Sequence, residues 1–290
     1  MPPKITQEMI NAYDEYTHLT LDRRRFMEKL TKLAGSGAAA AAIAPMLASN
    51  YARADMVPAD DPRLTIEEIT YPGPVGDVRG YLAMPSAAQG KLPAVIVIHE
   101  NRGLNPHIKD VTRRLALEGF VALAVDLLSR QGGTPPTDED AAAMFQGIDR
   151  GALVGDAVAA IPYLQGRAES NGKVGAIGFC FGGGIVNQMA VQSPDLVAGV
   201  AYYGAQPAAE DVPGIKAKLM LHYAGLDERI NAGIAGYEVA LKEAGVDYTI
   251  YVYEGVNHAF NNDTSEARYD ADAAALAWSR TVDFLKEALT

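Results

Sequence analysis

The chain has a single cysteine among its 290 residues. That excludes an intrachain disulfide and a cysteine-rich zinc cluster, and it leaves one free thiol to account for. Basic runs are missing beyond residue 54, so no Lys/Arg stripe can neutralise a phosphate backbone, and the formal net charge of −11 argues against a nucleic-acid partner. Long apolar runs are missing too: the most hydrophobic N-terminal stretch, Leu33 to Leu47, is too short and too weakly apolar for a stable membrane span. No linker interrupts the chain from about Leu64 to its end. What remains, 49% hydrophobic and 21% charged, has the material for a sizeable core and reads as one folded domain over residues 55–290. No heptad or edge motif demands a partner, so a monomer or weak homo-oligomer is expected.

Residues 1–54 differ in kind. Asp22-Arg23-Arg24-Arg25-Phe26-Met27 precedes a Gly/Ala-rich stretch and then Ala52-Arg53-Ala54, a small-residue cleavage-like site. This order resembles a twin-arginine export signal, which implies a periplasmic or otherwise exported protein rather than a cytoplasmic one. The other reading is a retained N-terminal arm, since Ile5 to Lys32 suits amphipathic helices and the Ala-rich run is a good helix former.

Strand and helix patterns then alternate. Thr65 to Tyr71 and Val78 to Met84 flank the turn-rich Gly73 to Asp77 and read as an antiparallel hairpin at a sheet edge. Short continuous apolar runs rich in Val at Ala94 to Ile98 and Phe120 to Val125, and further runs at Val174 to Gly178, Val197 to Tyr203, Leu219 to Tyr223 and Tyr248 to Tyr253, read as strands. Helices are expected over Ile108 to Glu118, Gly182 to Gln192, Ile234 to Ala244 and Ala271 to Leu289. Such alternation implies an α/β protein with a mostly parallel sheet flanked by helices on both faces, and in these sheets ligands bind at the carboxyl ends of the strands.

Chemistry-bearing residues fall at those ends. Gly178-Phe179-Cys180-Phe181-Gly182 runs from a strand into a helix as GxCxG, the context of a nucleophile elbow. Glycine at both flanks relieves crowding in the sharp turn, and the helix N-terminus favours a thiolate at Cys180. The backbone amide of Phe181, with that of Asn101 in the loop after Ala94 to Ile98, is the expected oxyanion hole. Asp227 and His258 each follow a later strand, so the order is nucleophile, acid, histidine, as in α/β-hydrolases. Of the remaining histidines, His18 lies in the presumed signal, His222 lies within a core strand, and His99 and His107 flank the loop containing Glu100. No compact metal-ligand spacing appears among them, and neither a metal nor any other cofactor is expected.

On Val97-Ile98-His99-Glu100-Asn101-Arg102-Gly103-Leu104-Asn105, Asp126 to Arg130, the elbow, Asp227 and His258-Ala259-Phe260, the chain resembles the dienelactone hydrolase (carboxymethylenebutenolidase) family from about Leu64 to Leu289. The resemblance implies the α/β-hydrolase fold, a small ester or lactone as substrate, and Glu100 as a carboxylate beside the nucleophile that holds the resting cysteine as a thiol. The family's two carboxylate-holding arginines have no counterpart: Thr137 to Asp149 lacks Arg and Lys, and Asn262 stands four residues past His258. Arg102, Arg130 or Arg268 can substitute if they point inward. Phe145, Phe179 and Phe260, with Met144, are expected as apolar pocket walls or core. The expected reaction is acyl transfer through Cys180. The competing readings are a general carboxylesterase or thioesterase, and a non-hydrolytic protein of this fold that binds a ligand or senses oxidants.

Overall fold

The structure, a computed structural model, describes residues 4–18, 20–51 and 56–290; the cleavage-like Ala52-Arg53-Ala54 lies outside the described residues. Eight strands form one sheet: β1 (Leu64–Pro72), β2 (Asp77–Pro85), β3 (Leu92–Ile98), β4 (Val121–Val125), β5 (Ser170–Phe179), β6 (Ala198–Tyr202), β7 (Lys218–Ala224) and β8 (Tyr248–Tyr253). Their order is β1-β2-β4-β3-β5-β6-β7-β8. β2 is antiparallel to both its neighbours, and every pair from β4 to β8 is parallel. The hairpin of β1 and β2 therefore forms one edge, and six parallel strands present their carboxyl ends along one rim.

Side chains on a strand alternate between faces, and here both faces are covered. Ala94, Ile96 and Ile98 of β3 join one core with Val121, Leu123 and Val125 of β4. Val95 and Val97 join the other with Ala122 and Ala124. The first core is closed by α6 (Arg150–Gln165), α7 (Phe181–Gln192) and α9 (Ile234–Ala244); the second by α4 (Pro106–Leu117) and α10 (Ala271–Leu289). Each fully buried Leu, Ile or Val contributes roughly 1.5–3 kcal/mol, which is why continuous apolar runs in the sequence become central strands.

Helices α5 (Asp138–Met144) and α6 were not anticipated from the sequence. Gly151, Gly155 and Pro162 interrupt the helical pattern of α6; its buried residues Leu153, Val154, Ala157, Ile161 and Leu164 share one face, but Ala152, Val158 and Ala159 place apolar side chains around the rest of the helix and blur the stripe.

The N-terminal residues form α1 (Gln7–Thr17), α2 (Arg23–Ala34) and α3 (Gly37–Leu47). Their starts are capped by Thr6, Asp22 and Ser36, whose side chains accept backbone N–H bonds. Gly35, at a φ of 79°, lets α2 stop and the chain turn into α3. Met9, Tyr13, Phe26, Leu30, Ile43 and Leu47 make a small core of their own. Among the described residues no single helix is long and apolar enough to cross a membrane; α2 and α3 reach that length only as a pair bent by 113°.

Candidate active site

β5 enters α7 through Cys180, whose φ of 55° and ψ of −114° lie where a residue with a β-carbon rarely sits. The flanking glycines show why the turn closes. A Cβ on Gly178 would stand 2.1 Å from the carbonyl oxygen of Gly182, and one on Gly182 would stand 2.3 Å from that of Ile98. The amide of Cys180 donates to the Tyr202 carbonyl at 3.0 Å, tying the elbow to β6, and the helix ladder starts with Gly184 N–H donating to Cys180 O. The Phe181 amide precedes that ladder and so has no partner within the helix.

Asp227 follows β7 and caps α8 (Glu228–Asn231): Oδ1 accepts from the Ile230 amide at 3.1 Å. Oδ2 accepts from Nδ1 of His258 at 2.5 Å. Both side chains are buried. The bond fixes the tautomer and turns Nε2 of His258 away from the carboxylate; that nitrogen is buried and makes no hydrogen bond. Burial raises the Asp227 carboxyl, but its bond to His258 and the imidazole charge hold it below its usual range.

Directly over the thiol sits a residue from the N-terminal arm. His18, which caps the end of α1, brings Nε2 to 3.4 Å from Sγ of Cys180. Its Nδ1 donates to the Asp14 carbonyl at 2.7 Å and lies 3.4 Å from Asp14 Oδ2. The rings of His18 and His258 meet edge to face, 4.6 Å between centroids. Burial alone would raise the Cys180 thiol; the His258 and His18 imidazoles override it and bring it to about 6. Burial opposes charge on His18, yet the thiolate and Asp14 raise it to about 9. His258 is likewise raised well above its ordinary value against its own burial, by Asp14, the thiolate and Asp227. Both imidazoles thus favour the thiolate form of Cys180, opposing the neutral thiol that the family resemblance implies for a cysteine beside Glu100.

The cavity at the thiol is about 20 Å³, room for about one water. Glu100, Asn101 and Arg102 line it with Cys180 and His258, and the arm contributes Tyr13, Thr17, His18 and Ser49. The side chain of Asn101 donates to the Thr17 carbonyl at 2.6 Å, and Asn262 donates to Glu100 Oε2 at 2.9 Å. Arg268 also lines the cavity, 3.5 Å from Asp14 Oδ1. Arg102 lines it too, with its guanidinium donating to the Asp138 carbonyl at 3.3 Å, whereas Arg130 is committed to Asp156 at 2.5 Å.

The aromatic residues expected as pocket walls do not reach the cavity surface. Phe179 and Phe260 are fully buried beneath it, packed on Tyr202 and, for Phe260, also on Tyr203 and Tyr253. Phe145 packs between His99 and Phe181. Asn262, also expected at the pocket, acts through Glu100 from a buried position.

The other histidines are structural. His99 Nε2 accepts from the Leu127 amide. His107 pairs with Asp263 at 3.0 Å, and His222, bonded to Tyr253 and Thr281, is pushed by burial down to about 3. A larger cavity of about 450 Å³ opens beside α10, between Arg114, Asn261, Tyr269 and Trp278, away from the thiol.

Sequence reasoning missed Asp14, His18 and Tyr203. Tyr203 follows β6 with a φ of 40°, and its ring lies 4.8 Å from that of His258 with a buried, unpartnered hydroxyl. Asp14 and His18 carry a legible signal, a carboxylate and an imidazole four apart on one helix face, which the export-signal reading masked.

Residues 78–289 match the dienelactone hydrolase family. A predicted carboxymethylenebutenolidase of Saccharolobus solfataricus is 32% identical over 258 residues, covering 76% of this chain and 98% of its own. Two crystal structures superpose well. One, a predicted dienelactone hydrolase from Klebsiella pneumoniae, has a TM-score of 0.69 at 28% identity, covering 77% of this chain and 98% of that one. The other, a dienelactone hydrolase-like promiscuous phosphotriesterase from metagenomic libraries, has a TM-score of 0.71 at 26% identity, covering 79% and 100%. The arm that carries Asp14 and His18 lies outside the residues matched to the family.

Proposed function

This chain belongs to the dienelactone hydrolase family, and on that premise we propose that it hydrolyses small carboxylic esters or lactones through an acyl-enzyme on Cys180. The thiolate attacks the carbonyl carbon, and the oxyanion takes hydrogen bonds from the Phe181 and Asn101 amides, each such donor contributing about 3 kcal/mol. As the C–O bond breaks, the leaving oxygen takes the proton of His258. The neutral imidazole then accepts a proton from water, whose oxygen attacks the thioester and frees Cys180. Asp227 holds His258 in the tautomer that both steps require.

One observation carries this reading. His258 is bonded to Asp227 at 2.5 Å with its other nitrogen unpartnered, in a site where Cys180 stands in a strained elbow. Arg102 and Arg268 supply cavity charge where Asn262 supplies none, so a substrate bearing a carboxylate is favoured once the arm vacates the cavity.

For residues 1–54, the cavity contacts of Thr17, His18 and Ser49 support an arm kept on the folded protein in at least one state. The side chains of Arg24 and Arg25 are 88% and 72% exposed, so the same segment can be presented to an export route that carries folded proteins.

The test is turnover of a neutral aryl acetate, a thioester and cis-dienelactone by the purified protein lacking residues 1–54, and by the full-length protein, each beside Cys180→Ala. Activity that depends on Cys180 is expected. Turnover unchanged in Cys180→Ala would remove the proposed nucleophile.

A further inference from the structure

The arm changes what the thiol can bind. Three ligand atoms, one each from His18, Cys180 and His258, lie within 4.8 Å of one another. The sulfur and Nε2 of His18 are already 3.4 Å apart. Tetrahedral zinc, with bonds of roughly 2.0–2.1 Å to nitrogen and 2.3 Å to sulfur, places its ligand atoms about 3.3–3.6 Å apart. A contraction of about 1 Å in the longest separation therefore brings the set onto one ion.

The surroundings match such a centre. Metal-bound histidines almost always give their second ring N–H to a carboxylate or carbonyl, which orients the ring. His258 gives Nδ1–H to Asp227, and His18 gives it to the Asp14 carbonyl with the Asp14 carboxylate beside it. His258 is about nineteen-twentieths buried, at 5% exposure, and its remaining nitrogen has no hydrogen-bond partner. The donor set of one sulfur and two imidazoles is borderline-soft, and three protein ligands leave a fourth position open toward the cavity beside Glu100.

We propose that His18, Cys180 and His258 form a three-ligand site for a zinc-type divalent cation, with the N-terminal arm supplying the third ligand. As the ion enters, any proton on the Nε2 atoms leaves to solvent, and the sulfur lone pair and both nitrogens bond to the metal. The occupied site has no free nucleophile and no free base, so metal binding and turnover exclude each other. The regulatory consequence rests on the hydrolase reading above; the binding site itself does not.

The experiment titrates the full-length, chelator-treated protein with Co²⁺ and follows thiolate-to-cobalt charge-transfer absorption, a readout that needs no turnover. One equivalent is expected to give the band, Zn²⁺ to abolish it by displacement, and Cys180→Ala to lack it. His18→Gln, checked for folding by circular dichroism, is expected to weaken Zn²⁺ by more than the roughly 10- to 100-fold typical of losing an outer-shell partner. No band in the folded wild type, or equal Zn²⁺ affinity in His18→Gln, overturns the site. A band in the full-length protein, with no ester cleavage by the metal-free protein even after removal of residues 1–54, leaves the site standing and removes the hydrolase reading; cleavage without a band does the reverse.

Discussion

Nε2 of His18 and Sγ of Cys180 stand 3.4 Å apart although 162 residues separate them in sequence. The contact joins the one thiol of the chain to a segment outside the part that matches the family. It is also the contact that leaves a cavity of only about 20 Å³.

Removal of residues 1–54 is expected to speed alkylation of Cys180 by a bulky maleimide at least several-fold and to raise kcat/KM for a large aryl ester. The deleted segment supplies four of the eleven residues that line the cavity. Equal rates with and without the segment would show that it is no barrier to entry.

Asp227→Asn should fold, because the amide oxygen can still cap α8 by accepting from Ile230. It should lose on the order of 10³–10⁴-fold in kcat, as an amide can hold the histidine in the wrong tautomer. Steady-state kinetics beside a thermal melt separates the two effects. Retained kcat would take Asp227 out of the triad.

The Cys180–His18 pair gives a pH window. The thiol is lowered, against its burial, from 9.0 to about 6, first by His258 and then by His18, so its contribution to the folded, docked protein is fully present above 9 and is lost as pH falls through 6, the arm's share being the part due to His18. His18 is raised from 6.5 to about 9, so its contribution is fully present below 6.5 and is lost as pH rises through 9. Thiolate and imidazolium therefore coexist between about 6 and about 9, and limited proteolysis of the arm should be slowest there. His18→Gln should flatten that profile; an identical profile in the variant would assign the pH dependence to other groups.

Gly182→Ala is expected to destabilise the fold by about 3 kcal/mol or more. The added Cβ would meet the Ile98 carbonyl oxygen at 2.3 Å, a backbone atom of a central strand that cannot give way. Denaturant unfolding measures this directly. A change under about 1 kcal/mol would mean the elbow has room that its geometry denies.

Much of this architecture was legible in the sequence because the physics is local. The bounds of α9 and α10 were readable from periodicity, and the GxCxG glycines from the space a Cβ needs. Helix α6 was not, because apolar Ala152, Val158 and Ala159 lie off its buried face and two glycines and a proline interrupt it, so no polar face reveals its period. The burial of Phe179 depends on which face of β5 it occupies, which a shift of one residue reverses, and that of Phe260 on the turn after β8 that packs it against Tyr202, Tyr203 and Tyr253. His18 was hidden for another reason: the Asp14–His18 spacing marks a paired imidazole, but its place over Cys180 comes from docking across 162 residues, which local spacing does not state.

The cavity wall is split between two stretches of chain that a single cut after residue 54 would part. Such a cut would remove an imidazole from the nucleophile, a carboxylate from beside Arg268 and four surfaces from the cavity at once. In that event the arm would have acted as a plug that blocks by occupying the site rather than by distorting it. With the arm docked, Cys180, Asp227 and His258 are already held in place by β5, β7 and the turns that follow the strands, so departure of the arm alone would open the site without refolding the sheet.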